Sequence, residues 1–195
     1  RAGFENGNPE TRTVYSGETY TLDGKTFERI DWVNNDLVEI YCPEAKGLKS
    51  AQYAVTSQKV DDVVGGNDVY DEGYLSKLNE DAGALQWNGD GTHTFYAMYP
   101  SSKMFETEST LKQGIKMEGT ILKGTIPAAQ APLNITNNGG HYVAYPDMKY
   151  AYMAAKSTAK RSTGSVNLTF VPIVTAVQIQ LIVPTTPPQG TTAVK

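Results

Sequence analysis

The amino-acid sequence predicts an all-β fold, an antiparallel β-sandwich with one or two short helical turns. The chain holds 12 tyrosines, 18 glycines and 10 prolines, and only 19% of its residues are charged. This composition is typical of strands joined by turns. Apolar and polar residues also alternate in short runs, which is the period of a half-buried strand. With 195 residues, 39% of them hydrophobic, the chain is long enough to bury a core without disulfides or metal.

The first half of the chain contains the sequence pattern of a hairpin and two patterns typical of strands. Residues 20–22 and 26–30 flank Asp23-Gly24-Lys25 and predict a β-hairpin, because Gly24 tolerates the positive φ that a tight turn requires. A strand is expected over residues 37–42 and another over residues 52–60.

The sequence in the middle of the chain predicts a second hairpin and the few helical turns of the fold. Residues 85–87 and 93–99 read as strands joined by the Gly-rich turn 88–92. One or two helical turns are expected within residues 71–81, and a short helical segment over residues 109–116. Helix would therefore be a minor component of the fold.

Alternation is most regular towards the carboxyl end. A strand is expected over residues 149–155, and two further runs place apolar side chains on one face only. We predict that this face is the floor of a core groove, formed by Val166, Leu168, Phe170, Val177, Ile179, Leu181 and Val183. Pro172 lies between the runs and indicates a bend or a sheet edge, since proline cannot donate to a ladder.

The domain boundary is expected near residue 183. Residues 184–195 hold three prolines, four threonines and a glycine, which is typical of a linker or tail. We therefore expect one domain over residues 1–183, followed by that tail.

Charge and cysteine content exclude several classes of partner. The net charge is −4, and the densest basic cluster is too small for a nucleic-acid footprint. No apolar run is long enough to cross a membrane as a helix. Cys42 is the only cysteine and stands in an apolar run, so we expect a buried thiol and no intramolecular disulfide.

No sequence motif indicates catalysis, a metal or a cofactor. The two histidines are isolated, and the chain has neither paired cysteines nor H-E-x-x-H, G-x-S-x-G or a phosphate-binding loop. The carboxylates within residues 61–72 are expected to form a solvated acidic loop. A weak cation site and an unfamiliar hydrolase site are the alternatives for that loop. We therefore predict a protein that is not an enzyme.

Two tryptophans leave a binding function open. Trp32 and Trp87 could stack on sugar rings, because aromatic faces pack against the apolar faces of sugars. Packing in the core is the other interpretation of both residues. The sequence thus keeps a surface glycan-binding module as an alternative function.

Six segments, in order, resemble the N-terminal domain of the fimbrillin family. The segments are T-R-T at residues 11–13, W-x-x-x-D at 32–36, F-x-A-x-Y-P at 95–100, I-P-x-x-Q at 126–130, and the patterned runs 147–154 and 166–170. None of them is specific alone, but together they span residues 4–183. The resemblance implies a transthyretin-like antiparallel β-sandwich at the cell surface.

The resemblance also implies a function and partners. Members of the family are surface pilins or adhesins, exported as lipoproteins to the outer membrane and trimmed by an Arg-specific protease. They then assemble into extracellular fimbriae by strand exchange with other subunits. Host proteins or glycans would be further partners, and the only membrane contact would be a lipid anchor on the precursor. Arg12 and Thr13 form the candidate processing loop, with an ordinary exposed loop arginine as the alternative.

Overall fold

The computed structural model confirms the all-β, antiparallel class. It describes residues 14–22, 24–56, 62–64, 67–70, 73–78, 83–102, 116–124, 126, 133–138, 141–145 and 151–174. Every pair of neighbouring strands in these ranges is antiparallel. Helical structure includes a 3₁₀ turn at Arg161–Thr163. Within the described ranges, no helix has the length and apolarity needed to cross a membrane.

Fourteen strands follow one another in the described parts of the chain. They are β1 (Val14–Leu22), β2 (Lys25–Val33), β3 (Leu37–Tyr41), β4 (Ser50–Thr56), β5 (Asp62–Val64), β6 (Asn67–Tyr70), β7 (Tyr74–Lys77), β8 (His93–Tyr99), β9 (Lys116–Glu118), β10 (Ile121–Lys123), β11 (Leu133–Asn138), β12 (His141–Tyr145), β13 (Met153–Ala159) and β14 (Val171–Pro172). The short strands and tight connections agree with the high content of glycine and proline.

The largest sheet has six strands in the order β14–β13–β8–β3–β4–β7. Strand β8 pairs along its whole length with β13, from His93 opposite Ala159 to Tyr99 opposite Met153. On its other side β8 pairs with β3, and β3 pairs with β4. The centre of this sheet therefore joins three distant parts of the sequence.

The core covers one face of the six-stranded sheet. Successive residues of a strand point to opposite faces, and β8 shows this directly. Phe95, Ala97 and Tyr99 are buried in the core cluster, whereas Thr94 and Tyr96 are half-buried on the other face, where Met98 is buried outside that cluster. The buried cluster consists of Val38, Ile40, Cys42, Ala45, Val55, Phe95, Ala97, Tyr99, Met153, Ala155 and Ala159.

A second sheet has four strands in the order β1–β2–β6–β5. Its first hairpin is the one that the sequence predicts, because Leu22 lies opposite Lys25 and Gly24 has a φ of 73°. Two separate hairpins, β9–β10 and β11–β12, follow later in the chain.

A buried carboxylate fixes the connection between the two larger sheets. The side chain of Asp36 is 1% exposed and accepts hydrogen bonds from the Val33 N–H at 2.9 Å and the Tyr99 hydroxyl at 3.1 Å. Around it, Asn35 takes a φ of 73° and donates its N–H to the Val55 carbonyl at 2.9 Å. The chain thus leaves β2 and enters β3 at one defined angle.

Two local expectations are wrong. Residues 71–81, expected to hold helical turns, contain strand β7, in which Leu75 lies opposite Val55 of β4. Residues 85–87, expected as the partner of β8 in a hairpin, make only an isolated bridge between Gln86 and Lys46. In both cases pairing with a residue that is distant in sequence determines the local structure. Short-range sequence patterns contain no information on such a partner. Residues 109–115, 146–150 and the proposed tail 184–195 lie outside the described residues.

Candidate functional site

An apolar cavity of about 230 Å³ lies on the core face of the six-stranded sheet. Strands β3, β4, β7 and β8, the loop that contains residues 85–87, and the segment after the 3₁₀ turn all contribute to its walls. The lining residues are Ile40, Cys42, Ala45, Tyr53, Leu75, Leu85, Gln86, Trp87, His93, Phe95, Val166 and Leu168. None of these side chains carries a formal charge at pH 7 when His93 is neutral.

One wall of the cavity is a chain segment with no ladder partner. Val166, Leu168 and Phe170 are half-buried against the core, whereas Asn167 and Thr169 are exposed. Such alternation is the pattern of an extended chain. Sequence reasoning expects a strand here, but in the described part of the chain the backbone of residues 166–170 makes no hydrogen bond.

Both ends of this segment are held in place. Before it, Gly164 has a φ of 75° and donates its N–H to the Arg161 carbonyl at 3.2 Å. After it, β14 pairs with β13, and the Ile173 N–H bonds the Tyr152 carbonyl at 2.9 Å. Residues 166–170 are therefore an extended span fixed at two points, and within the described part of the chain their backbone groups have no hydrogen-bond partner.

Polar atoms on the cavity wall already have partners. The Tyr53 hydroxyl accepts a hydrogen bond from the Leu85 N–H at 2.9 Å. Nε2 of His93 accepts from the Asn88 N–H at 3.0 Å, and Nδ1 lies 2.9 Å from the Gly91 carbonyl oxygen. A proton on Nδ1 satisfies both contacts. His93, 2% exposed, thus closes the turn that leads into its own strand.

The Cys42 thiol is also engaged in a hydrogen bond. Its Sγ donates to Oε2 of Glu44 at 3.6 Å, and the same oxygen accepts from the Thr94 N–H at 3.0 Å. Burial raises the pKa of the Cys42 thiol, while the hydrogen bond from the Thr94 N–H lowers the pKa of Glu44. The protonated thiol and the ionised carboxylate therefore stabilise each other at neutral pH.

Glu44 gives a pH-dependent prediction. Its pKa is lower in the folded state than the ordinary value of 4.5, so its contribution is present above that value and lost as pH falls through the folded pKa. Glu44→Gln should therefore lower the free energy of unfolding by about 1 kcal/mol at pH 7. The difference from the wild type should shrink when the measurement is repeated at a second pH, below the folded pKa of Glu44.

Urea unfolding at the two pH values measures this effect. The matched control is Asp90→Asn on the exposed turn, for which we expect no difference from the wild type at pH 7. An equal loss of stability in Glu44→Gln at both pH values would show that the carboxylate acts by packing and not by its charge.

The structure places both candidate glycan-stacking residues against the core. The Trp32 ring meets Tyr99 edge-on at 5.1 Å and Phe170 at 5.2 Å between ring centroids. The Trp87 ring meets His93 at 4.9 Å and Phe95 at 5.5 Å, again close to perpendicular. Each ring is half-buried and packs in its own aromatic cluster.

Other predicted residues fall outside this region. Arg12 and Thr13, and the predicted groove residues Val177, Ile179, Leu181 and Val183, lie outside the described residues. The acidic segment 61–72, expected as a loop, contains the hairpin of β5 and β6. Among the described residues, no group of three His, Cys, Asp or Glu side chains could hold a metal ion.

Two of the family-like motifs meet at one point of the core. Trp32 and Asp36 belong to the W-x-x-x-D segment, and Tyr99 belongs to the F-x-A-x-Y-P segment. The Tyr99 ring packs against the Trp32 ring, and its hydroxyl donates a hydrogen bond to Asp36. Sequence reasoning missed this pairing. The sequence feature that could have indicated this contact is an aspartate at the start of an apolar strand together with a tyrosine at a core-facing position.

No family model matches the chain, and neither the curated proteins nor the solved structures contain a match to it.

Proposed function

We propose that this protein is a non-catalytic subunit of a cell-surface fimbria, or an adhesin, that assembles by β-strand complementation. A transthyretin-like β-sandwich at the outer membrane is part of the proposal. The observation that carries it is the extended span of residues 166–170, whose alternate side chains reach the core while its backbone is unpaired within the described residues.

An unpaired extended span is a template for another strand. Exposed backbone N–H and C=O groups bind an added strand through main-chain hydrogen bonds, and neighbouring pockets receive its alternate side chains. Each such hydrogen bond contributes about 0.5–1.5 kcal/mol net, so several in a row stabilise an interface. The apolar cavity beside Val166 and Leu168 offers buried surface next to this span.

The resemblance to the fimbrillin family supports the same function. The partners would be other subunits of the fimbria, with a host protein or glycan as the target of adhesion. The precursor would reach the membrane through a lipid anchor and expose the span after processing at an arginine.

Proline substitution tests the proposal without disturbing the core. The side chain of Thr169 is exposed, and its N–H makes no hydrogen bond in the described structure. Thr169→Pro removes that donor and blocks an added strand, while Thr169→Ala keeps the donor. We expect the wild type and Thr169→Ala precursors, after treatment with an Arg-specific protease, to form SDS-resistant oligomers, whereas Thr169→Pro stays monomeric.

Size-exclusion chromatography and unheated SDS gels record these products. Circular dichroism establishes that Thr169→Pro is folded before the assay. A folded Thr169→Pro variant that assembles like the wild type would contradict the assignment of this span. A wild-type protein that stays monomeric after cleavage would contradict assembly by strand complementation itself.

A further inference from the structure

We infer that the apolar cavity beside Cys42 is a binding site for a small uncharged molecule the size of one aromatic ring. The cavity shares Val166 and Leu168 with the extended span of the proposed assembly, but the binding of a small molecule is a separate property that one chain can show alone. The inference rests on the volume of the cavity, on the hydrogen bonds that engage several of its polar atoms and on the aromatic character of one wall.

The volume suits a single ring. At about 230 Å³ the cavity is larger than the apolar voids of roughly 150 Å³ that accept benzene in other proteins. A void of this size leaves its lining atoms without contacts on one side, and a ligand that fills it restores those contacts. A disaccharide or a nucleotide would not fit such a space.

The wall chemistry favours an apolar ligand over water. A buried water needs two to four polar partners. The Tyr53 hydroxyl, the two His93 nitrogens and the Cys42 thiol are already bonded to Leu85, to the turn before β8 and to Glu44. No lysine, arginine, aspartate or glutamate side chain is part of the lining, so a charged ligand would lose its hydration without gaining a partner.

One wall is built from aromatic rings at right angles. Trp87 meets His93 at 79° and Phe95 at 80° between ring planes. A ring in the cavity would add one more edge-to-face contact to this cluster, a geometry that aromatic pairs prefer. Gln86 lines the cavity and is exposed, so it would contact the solvent side of the ligand.

Toluene is the probe that tests this site, with benzoate as its charged counterpart. We expect toluene to bind with a Kd on the order of 0.1–1 mM. At ten times Kd it should raise the melting temperature by about 3–5 °C. Benzoate at the same concentration should leave the melting temperature unchanged.

Two filling variants show whether the effect comes from this cavity. Ala45→Met and Cys42→Met place a flexible side chain into the space from two different wall positions. We expect the toluene shift to disappear in whichever of them folds, and to persist in Tyr74→Ala, whose ring is 62% exposed.

Two outcomes would overturn the inference. The first is a wild-type protein whose melting temperature does not respond to toluene. The second is a response that survives in a folded filling variant or that benzoate reproduces. Loss of assembly in Thr169→Pro would leave both outcomes unaffected.

Discussion

Replacing Asp36 with alanine should lower the free energy of unfolding by about 3 kcal/mol, the largest effect that we expect from a single polar residue. The carboxylate is 1% exposed and accepts one hydrogen bond from the Val33 N–H and one from the Tyr99 hydroxyl. Without it both donors lose this buried acceptor. Each unpaired buried donor costs about 1–3 kcal/mol, and the cavity left by the side chain adds to the loss.

A double-mutant cycle isolates the hydrogen bond to Tyr99. Tyr99→Phe removes only the hydroxyl, so the coupling between Tyr99→Phe and Asp36→Ala should be about 1–2 kcal/mol in equilibrium urea unfolding. The matched control is Asp90→Ala, which removes an exposed carboxylate and should change stability by less than about 0.5 kcal/mol. If Asp36→Ala were as stable as Asp90→Ala, the carboxylate would not hold the connection between β2 and β3.

Trp32→Ala should destabilise the protein by about 3 kcal/mol or more, because it removes a large ring from the junction of two aromatic contacts. The ring joins Tyr99 of the six-stranded sheet to Phe170 at the end of the unpaired span. Its loss should therefore loosen that span and lower stability together. Thermal unfolding followed by circular dichroism measures the change, and Tyr74→Ala at an exposed position is the control.

The same variant bears on the alternative function in glycan binding. If Trp32 stacks on a sugar, Trp32→Ala should lose glycan binding while its melting temperature stays at the wild-type value. If the residue packs in the core, the melting temperature should fall whether or not a glycan is present. A variant with wild-type stability would contradict the packing role that we assign to this ring.

Local sequence signals predicted the parts of the fold that local physics controls. The hairpin around Gly24 follows from one residue with positive φ, and strands β3 and β8 follow from apolar alternation that matches the buried face. Strand β7 was missed, because its register with β4 comes from pairing Val55 with Leu75 across twenty positions of sequence. Propensity within a short window contains no information on such a partner.

The candidate site also combines features that local sequence patterns predict with features that they do not predict. Alternation in residues 166–170 matches the side chains that pack against the core, but it does not indicate that the backbone there makes no hydrogen bond within the described residues. The cavity could not be predicted, because its walls come from six separate parts of the chain. The contact between Asp36 and Tyr99 also joins distant residues, so an alternation pattern contains no direct sign of it.

The position of β8 at the centre of the six-stranded sheet has a consequence for the order in which the molecule folds. Its neighbours are β3 and β13, so Tyr41 pairs with Tyr96, while Met153 pairs with Tyr99 from far downstream. Bringing these strands together costs the conformational entropy of the long segments between them before the ladders form. Proteins whose contacts are mostly between residues distant in sequence therefore fold slowly. Until residues 153–159 have been synthesised, β8 lacks one of its two neighbours, and the core cannot close during the earlier part of translation.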